Sequence, residues 1–281
     1  MSDDKKAAKK AAGKTGWKAA ENMPEELHRP LSGLLLSLAD NKRLLGMRYS
    51  EWILGAPTLE AGIACSAMAQ DEWGHGRILY AMLKDFGHES GSLEHEREAD
   101  AYVSSELLDE APDGWPGLLA LNALLDQALS VQCDALAESR YSPLHYKMGK
   151  LADEERFHAE HARGWTQRLA GADAGRVALA AAYSAALEPC LRWFGRDGAD
   201  MWKALTEQRV VDGGPDTLRA RWLERVGPLL EDVGLDVPPP AGDALDWADW
   251  DDERRRTGPG GPDADTLARV RGDKNRAMLM D

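Results

Sequence analysis

The chain has 281 residues and a formal net charge of −14. Such acidity disfavours nucleic acid and anionic membrane as main partners. The length allows one large core with tail to spare, and Ala and Leu are abundant without an alternating Val/Ile/Thr/Tyr run, which argues for helices over a sheet. Three widely spaced cysteines, Cys65, Cys133 and Cys190, do not form a disulfide framework. With no signal-peptide pattern and no bilayer-length apolar run, a cytoplasmic protein is expected.

In chain order, residues 1–20 are Lys/Ala-rich and read as a flexible tail. A first long helix is expected over about 24–54, where Pro24-Glu25-Glu26 suits a helix start and Gly55-Ala56-Pro57 a stop. A second should run from Thr58 to about Phe86 and end at Gly87. A short polar helix follows over 91–109, then a break at 111–116. A third core helix is predicted over 117–139, a turn at Tyr141-Ser142-Pro143, and a fourth core helix over 144–169. Further helices are placed at 174–194 and 216–233. Residues 21–236 therefore form an all-α domain. Residues 237–281, rich in Asp, Gly and Pro, read as an extended or partly disordered tail with a short helix near 265–271.

The chemistry lies in two Glu-x-x-His motifs, Glu72/His75 and Glu155/His158. Residues three apart share a helix face, so each pair can grip one object. A di-metal carboxylate bundle takes one Glu-x-x-His from each of two helices and one carboxylate from each of the other two. Stepping by three and four puts Glu72 and His75 on the stripe of Cys65, Met68 and Leu79, and Glu155 and His158 on that of Met148, Leu151 and Ala162. The same stepping on the third helix gives Leu119, Ala123, Asp126, Ser130 and Cys133. On the first it gives Leu44, Met47, Glu51 and Leu54, with Asp40 as the substitute candidate or an acid that orients an imidazole. The expected metal ligands are Glu51, Glu72, His75, Asp126, Glu155 and His158. Four carboxylates balance two divalent cations, and the hard donor set favours two Fe ions, with Mn second. His161 is expected beside the site or at the surface, Asp71 and Glu154 just outside it, and Cys65 and Cys133 as apolar fillers. Gly74 and Gly76 flank His75 either for close helix packing or for a substrate or O2 path. With no phosphate loop and no cysteine cluster for zinc or iron–sulfur, the chain has no evident site for a reducing cofactor of its own, organic cofactors included, so electrons for any O2 chemistry would come from a partner.

Ala56-Pro57-Thr58-Leu59, Ala69-Gln70-Asp71-Glu72 with Gly74-His75-Gly76, Tyr141-Ser142-Pro143 and Glu154-Glu155 with Phe157-His158 resemble the ferritin-like catalytic subunit of the phenylacetyl-CoA epoxidases. Arg48-Tyr49-Ser50-Glu51-Trp52 and the run Thr217–Trp222 look more like its non-catalytic sister subunit. The chain departs from the catalytic subunit at Met68, where that subunit has Lys. The resemblance implies a ferritin-like four-helix bundle with extra C-terminal helices and a di-iron monooxygenase acting in phenylacetate catabolism. It would epoxidise an aromatic acyl-CoA with O2, with Glu51, Glu72, Asp126 and Glu155 as the catalytic carboxylates. The implied partners are a sister ferritin-like subunit in a hetero- or homo-oligomer and a flavin/iron–sulfur reductase. The alternatives are a structural subunit of the same complex, a related di-iron oxygenase with a different acyl-CoA or aromatic substrate, and a ferritin-like ferroxidase or manganese catalase.

Overall fold

The computed structural model describes residues 16–235, 244–273 and 278. It is all-α apart from one two-residue hairpin, and the bundle has the ferritin-like arrangement expected. The main helices are α1 (His28–Glu51), α2 (Leu59–Leu83), α3 (Ser90–His95), α4 (Gly114–Ala120), α5 (Asp126–Ala137) and α6 (Ser142–Ala170). They are followed by α7 (Asp173–Trp193), α8 (Asp200–Glu207) and α9 (Pro215–Asp232). The hairpin pairs β1 (Trp250–Asp251) with β2 (Arg256–Thr257), and α10 (Ala264–Arg271) closes the described chain. Among the described residues no helix is long and apolar enough to cross a membrane.

Two antiparallel helix pairs, α1 with α2 and α5 with α6, form the bundle and lay their inner faces against one another. The α1–α2 turn is set by local chemistry. Thr58 caps α2 by accepting from the Ala61 amide at 3.2 Å. Gly62 lies so close to the end of α1 that a Cβ there would meet the Ile53 carbonyl oxygen at 2.4 Å. A Cβ at Gly46 would meet the Trp73 indole at 2.6 Å, so the two helices approach closely halfway along as well.

The expected third core helix is one continuous rod, α4 running into α5 through a π-helical turn at Leu121–Leu125. A π turn widens the helix and loosens its carbonyl ladder. Two side chains meet the loosened groups: the Trp222 indole donates to the Leu124 carbonyl at 2.9 Å, and Asn122 turns its amide inward. The expected helix over 91–109 is shorter, because Arg97 leaves the helix to bind Asp40, and two 3-10 turns, Ala99–Ala101 and Glu106–Leu108, carry the chain onward.

Both tail expectations are revised in the described residues. Most of the Lys/Ala-rich segment 1–20 lies outside them, but residues 16–20 are placed: the Trp17 amide donates to the Arg140 carbonyl at 3.0 Å, and Ala20 is buried. Of 237–281, residues 244–273 fold onto the bundle, and the expected helix is there as α10. Arginines hold this segment. Arg48 on α1 donates to Thr266 Oγ1 at 2.7 Å, Arg256 pairs with Asp109, and Leu267 and Val270 are buried. The Pro-rich run 238–240 lies outside the described residues.

Candidate metal centre

Glu72, Asp126, Glu155 and His158 converge in the middle of the bundle, with donor atoms all within 4.8 Å of one another and every side chain buried. His75 joins them, its Nδ1 3.1 Å from Glu155 Oε1. Five of the six expected ligands are thus brought together, and in kind this donor set is compatible with a di-metal site.

Glu51 is not among them. It is the last residue of α1, half-buried, and accepts from Arg48 Nη1 at 2.8 Å; Arg269 also pairs with it. Asp40 does not replace it. Its carboxylate binds Tyr80 Oη at 2.5 Å, Arg97 Nη1 at 2.8 Å and the Val103 amide at 2.8 Å, which fastens the α2–α4 connection to α1. The side chain α1 sends to the centre is Lys42. Its stripe is Leu35, Leu38, Lys42, Leu45 and Tyr49, all fully buried, whereas the stripe that carries Glu51 runs out to Leu54 at 98 % exposure. α1 is apolar on two sides because it is packed by α2 on one and by α5 and the C-terminal segment on the other, so its periodicity allows two inward faces.

Lys42 Nζ donates to Glu72 Oε1 at 2.8 Å, Asp126 Oδ1 at 2.9 Å and Glu155 Oε1 at 2.5 Å. All three of an ammonium's protons are thereby used, one on each of three other helices. Burial alone would pull this ammonium down; the Asp126, Glu155 and Glu72 carboxylates outweigh it and hold it well above its ordinary value. Asp126 is pushed up by burial, but Lys42 and His158 bring it well below the carboxylate range. Glu155 is also lowered, since Lys42 and its bond from His75 prevail over burial and Asp126. Burial dominates at Glu72 and pushes it up to about 7.

The two imidazoles also sit among acids that favour their charged form. His158 Nδ1 lies 2.9 Å from Asp126 Oδ2 and 3.3 Å from Glu72 Oε1, while Nε2 lies 3.5 Å from Asp71 Oδ2. Burial works against its cation, yet these acids hold it well above the ordinary imidazole value. His75 is raised in the same way by Glu155 and Glu72 against burial, with Glu154 Oε2 at 2.8 Å from Nε2. The three inner carboxylates thus face an ammonium and two imidazoles whose charged forms they favour. The cations that four carboxylates were expected to require are supplied by the chain, and a side chain fills the space on which the donors converge. The residues present therefore do not make the six-ligand, two-metal cage read from the motifs: one carboxylate is missing and a lysine stands at its level.

A polar shell surrounds the cluster. Tyr49 Oη donates to Asp126 Oδ2 at 2.8 Å and Ser130 Oγ to Glu155 Oε2 at 2.8 Å. Asn122 Nδ2, on the π turn, donates to Tyr49 Oη at 3.0 Å and to the His158 carbonyl at 3.2 Å. Asn122 Oδ1 takes a bond of 2.9 Å from His161 Nδ1, so His161 is a support of the site and not a ligand. Asp71 and Glu154 sit just outside, on the imidazoles, as their positions beside the motifs implied. Cys133 is a buried neighbour of Lys42, its thiol pushed up by burial, and Cys65 is buried in the core. Met68 is buried on the stripe of Glu72. The glycines differ: a Cβ on Gly76 would touch the Ala39 carbonyl at 3.4 Å, which is close helix packing, whereas one on Gly74 would meet nothing within 4 Å.

Lys42, Tyr49 and Asn122 were not among the residues expected at the site. A lysine among leucines, spaced at three and four from Leu38 and Leu45, was the available signal, because a lysine on an apolar stripe needs buried acids.

Two curated relatives from Escherichia coli (strain K12) share the chain's sequence pattern, and both belong to 1,2-phenylacetyl-CoA epoxidase. The chain is 25% identical over 244 residues to the A subunit of that enzyme, covering 85% of this chain and 79% of the relative. It is 30% identical over 213 residues to the C subunit, covering 74% of this chain and 84% of the relative. Residues 5–256 match the family described as phenylacetic acid catabolic protein, and the chain belongs to that family.

Proposed function

We propose that the chain is a non-catalytic subunit of a phenylacetyl-CoA epoxidase type of complex, one that supports a metal-bearing sister subunit and holds no metal itself. The observation that carries this reading is Lys42, whose fully buried ammonium bonds three carboxylates that would otherwise be metal ligands. A buried cation so placed excludes a second cation by repulsion and by occupying its space. The bundle keeps its shape because Lys42 ties α1 to α2, α5 and α6 through those bonds. Similarity to both of the epoxidase subunits is in keeping with a chain that retains the motifs while α1 lacks the carboxylate.

The catalytic reading keeps one observation in its favour: Glu72, His75, Asp126, Glu155 and His158 are all in place. A di-iron centre there would supply O2 activation for epoxidation of an aromatic acyl-CoA, with electrons from a flavin/iron–sulfur reductase. It requires Lys42 to leave the cluster. Co(II) titration separates the two readings, using the full chain and its Lys42→Glu variant, which restores a carboxylate on α1. The variant is expected to develop the absorption of protein-bound Co(II) while the unmodified chain does not. Equal, tight uptake by both chains contradicts the metal-free reading.

A further inference from the structure

Toward the start of α1, a cavity of about 740 Å³ opens between that helix, α8 and the β1–β2 turn. That is within the range of small-molecule sites. Pro30, Leu36, Val103 and Met201 give it an apolar wall. Arg255, in the turn between β1 and β2, also lines it and is unusual in three respects.

Its side chain is only 3 % exposed and is stacked on two indoles, with the guanidinium carbon 4.7 Å from the Trp193 ring centre and 5.3 Å from that of Trp202. Nη2 donates to the Trp193 carbonyl, but Nε and Nη1 have no hydrogen-bond partner among the described residues. The backbone is left-handed at this residue, with φ of +53°, a conformation that a non-glycine residue rarely adopts. Asp252 favours its charge from a distance, but no carboxylate hydrogen-bonds the guanidinium among the described residues, and burial still pulls its pKa down to about 9. The acids on the rim have other partners: Asp252 accepts from Arg196 Nε at 3.1 Å and from Trp250 Nε1 at 2.9 Å, and Glu253 pairs with Arg29.

We infer that this cavity is a binding site for an amphipathic monoanion, a carboxylate on an apolar chain or ring, with Arg255 as the charge partner and the apolar wall holding the tail. A monoanion suits it better than a phosphate dianion, because Glu26, Asp200, Asp252 and Glu253 also line the cavity. The site does not depend on whether the bundle centre holds metal.

Isothermal titration of the full chain with octanoate tests it, with octanol and inorganic phosphate as controls. Octanoate should bind saturably at one site, with both controls at least about tenfold weaker. Two variants separate the site from general binding. Arg255→Gln removes the charge, and Gly33→Leu fills the cavity from α1, where an added Cβ meets nothing within 4 Å. Each should weaken octanoate at least about tenfold while the near-UV circular dichroism stays unchanged. Because the two changes lie on different elements, misfolding of one variant leaves the other as the test. The inference is overturned if octanoate gives no saturable heat up to about 5 mM, if octanol or phosphate binds as tightly, or if a folded variant of either kind binds octanoate like the parent chain.

Discussion

Lys42 reaches three helices from a fourth, so its substitution removes the cation that three buried carboxylates share. Breaking a buried charge cluster from one side costs about 3–5 kcal/mol. Lys42→Met should therefore lower the unfolding free energy in urea by that order, and a variant as stable as the parent chain contradicts the role given to this side chain. His158 provides a second residue-scale outcome, through pH. Its pKa is raised in the folded chain, so its contribution to stability is fully present below the unfolded imidazole value of about 6.5 and is lost as pH rises through the higher folded value. Glu72 has the same sign, since an acid pushed up to about 7 favours the folded state most at low pH. Asp126 has the opposite sign, its contribution vanishing only as pH falls below the ordinary carboxylate range. Melting temperature should thus decline as pH rises, through Glu72 between about 4.5 and 7 and through His158 from about 6.5 upward, and His158→Gln should flatten the upper part of that slope. An unchanged slope in the variant means that His158 is not charged in the fold.

At the scale of elements, much was legible from periodicity. The Glu-x-x-His motifs sit on long helices with their apolar seams turned inward, and Asp126 lies where stepping from Leu119 put it. Two things were not legible. α1 is apolar on two faces, so the pattern offered the stripes of Glu51 and of Lys42 with no local rule to choose between them; only the tertiary packing of α2, α5 and the C-terminal segment decides. The π turn at 121–125 is likewise set from outside, by Trp222 arriving from α9 to bond the Leu124 carbonyl. The α1–α2 turn offers a direct test of element packing. A methyl on Gly62 would stand 2.4 Å from the Ile53 carbonyl oxygen, and backbone on backbone has little room to yield. Gly62→Ala should cost about 1–3 kcal/mol, whereas Gly74→Ala, with open space and better helix propensity, should be neutral or stabilising by up to about 1 kcal/mol. Equal effects from the two in thermal denaturation contradict this packing.

For the whole molecule, the C-terminal segment belongs to the folded unit. Arg256 is buried against Asp109, Thr266 against Arg48, and α10 lies on α1. Removing residues 244–281 should leave Arg48, Asp109 and an apolar strip of α1 uncovered, seen as a lower melting temperature and binding of a hydrophobic dye; a truncated chain as stable as the full one contradicts that. A bundle whose central carboxylates are bonded by Lys42, His75 and His158 is expected to be stable without metal, in line with the supporting role proposed for the chain. The most direct measurement is the metal content of the full chain, after anaerobic incubation with excess Fe(II) and desalting, by inductively coupled plasma mass spectrometry. Iron far below one atom per chain is expected, with the melting temperature unchanged by the incubation. Iron approaching two atoms per chain, the complement of a filled di-metal bundle, together with a rise in melting temperature, would contradict the metal-free assignment.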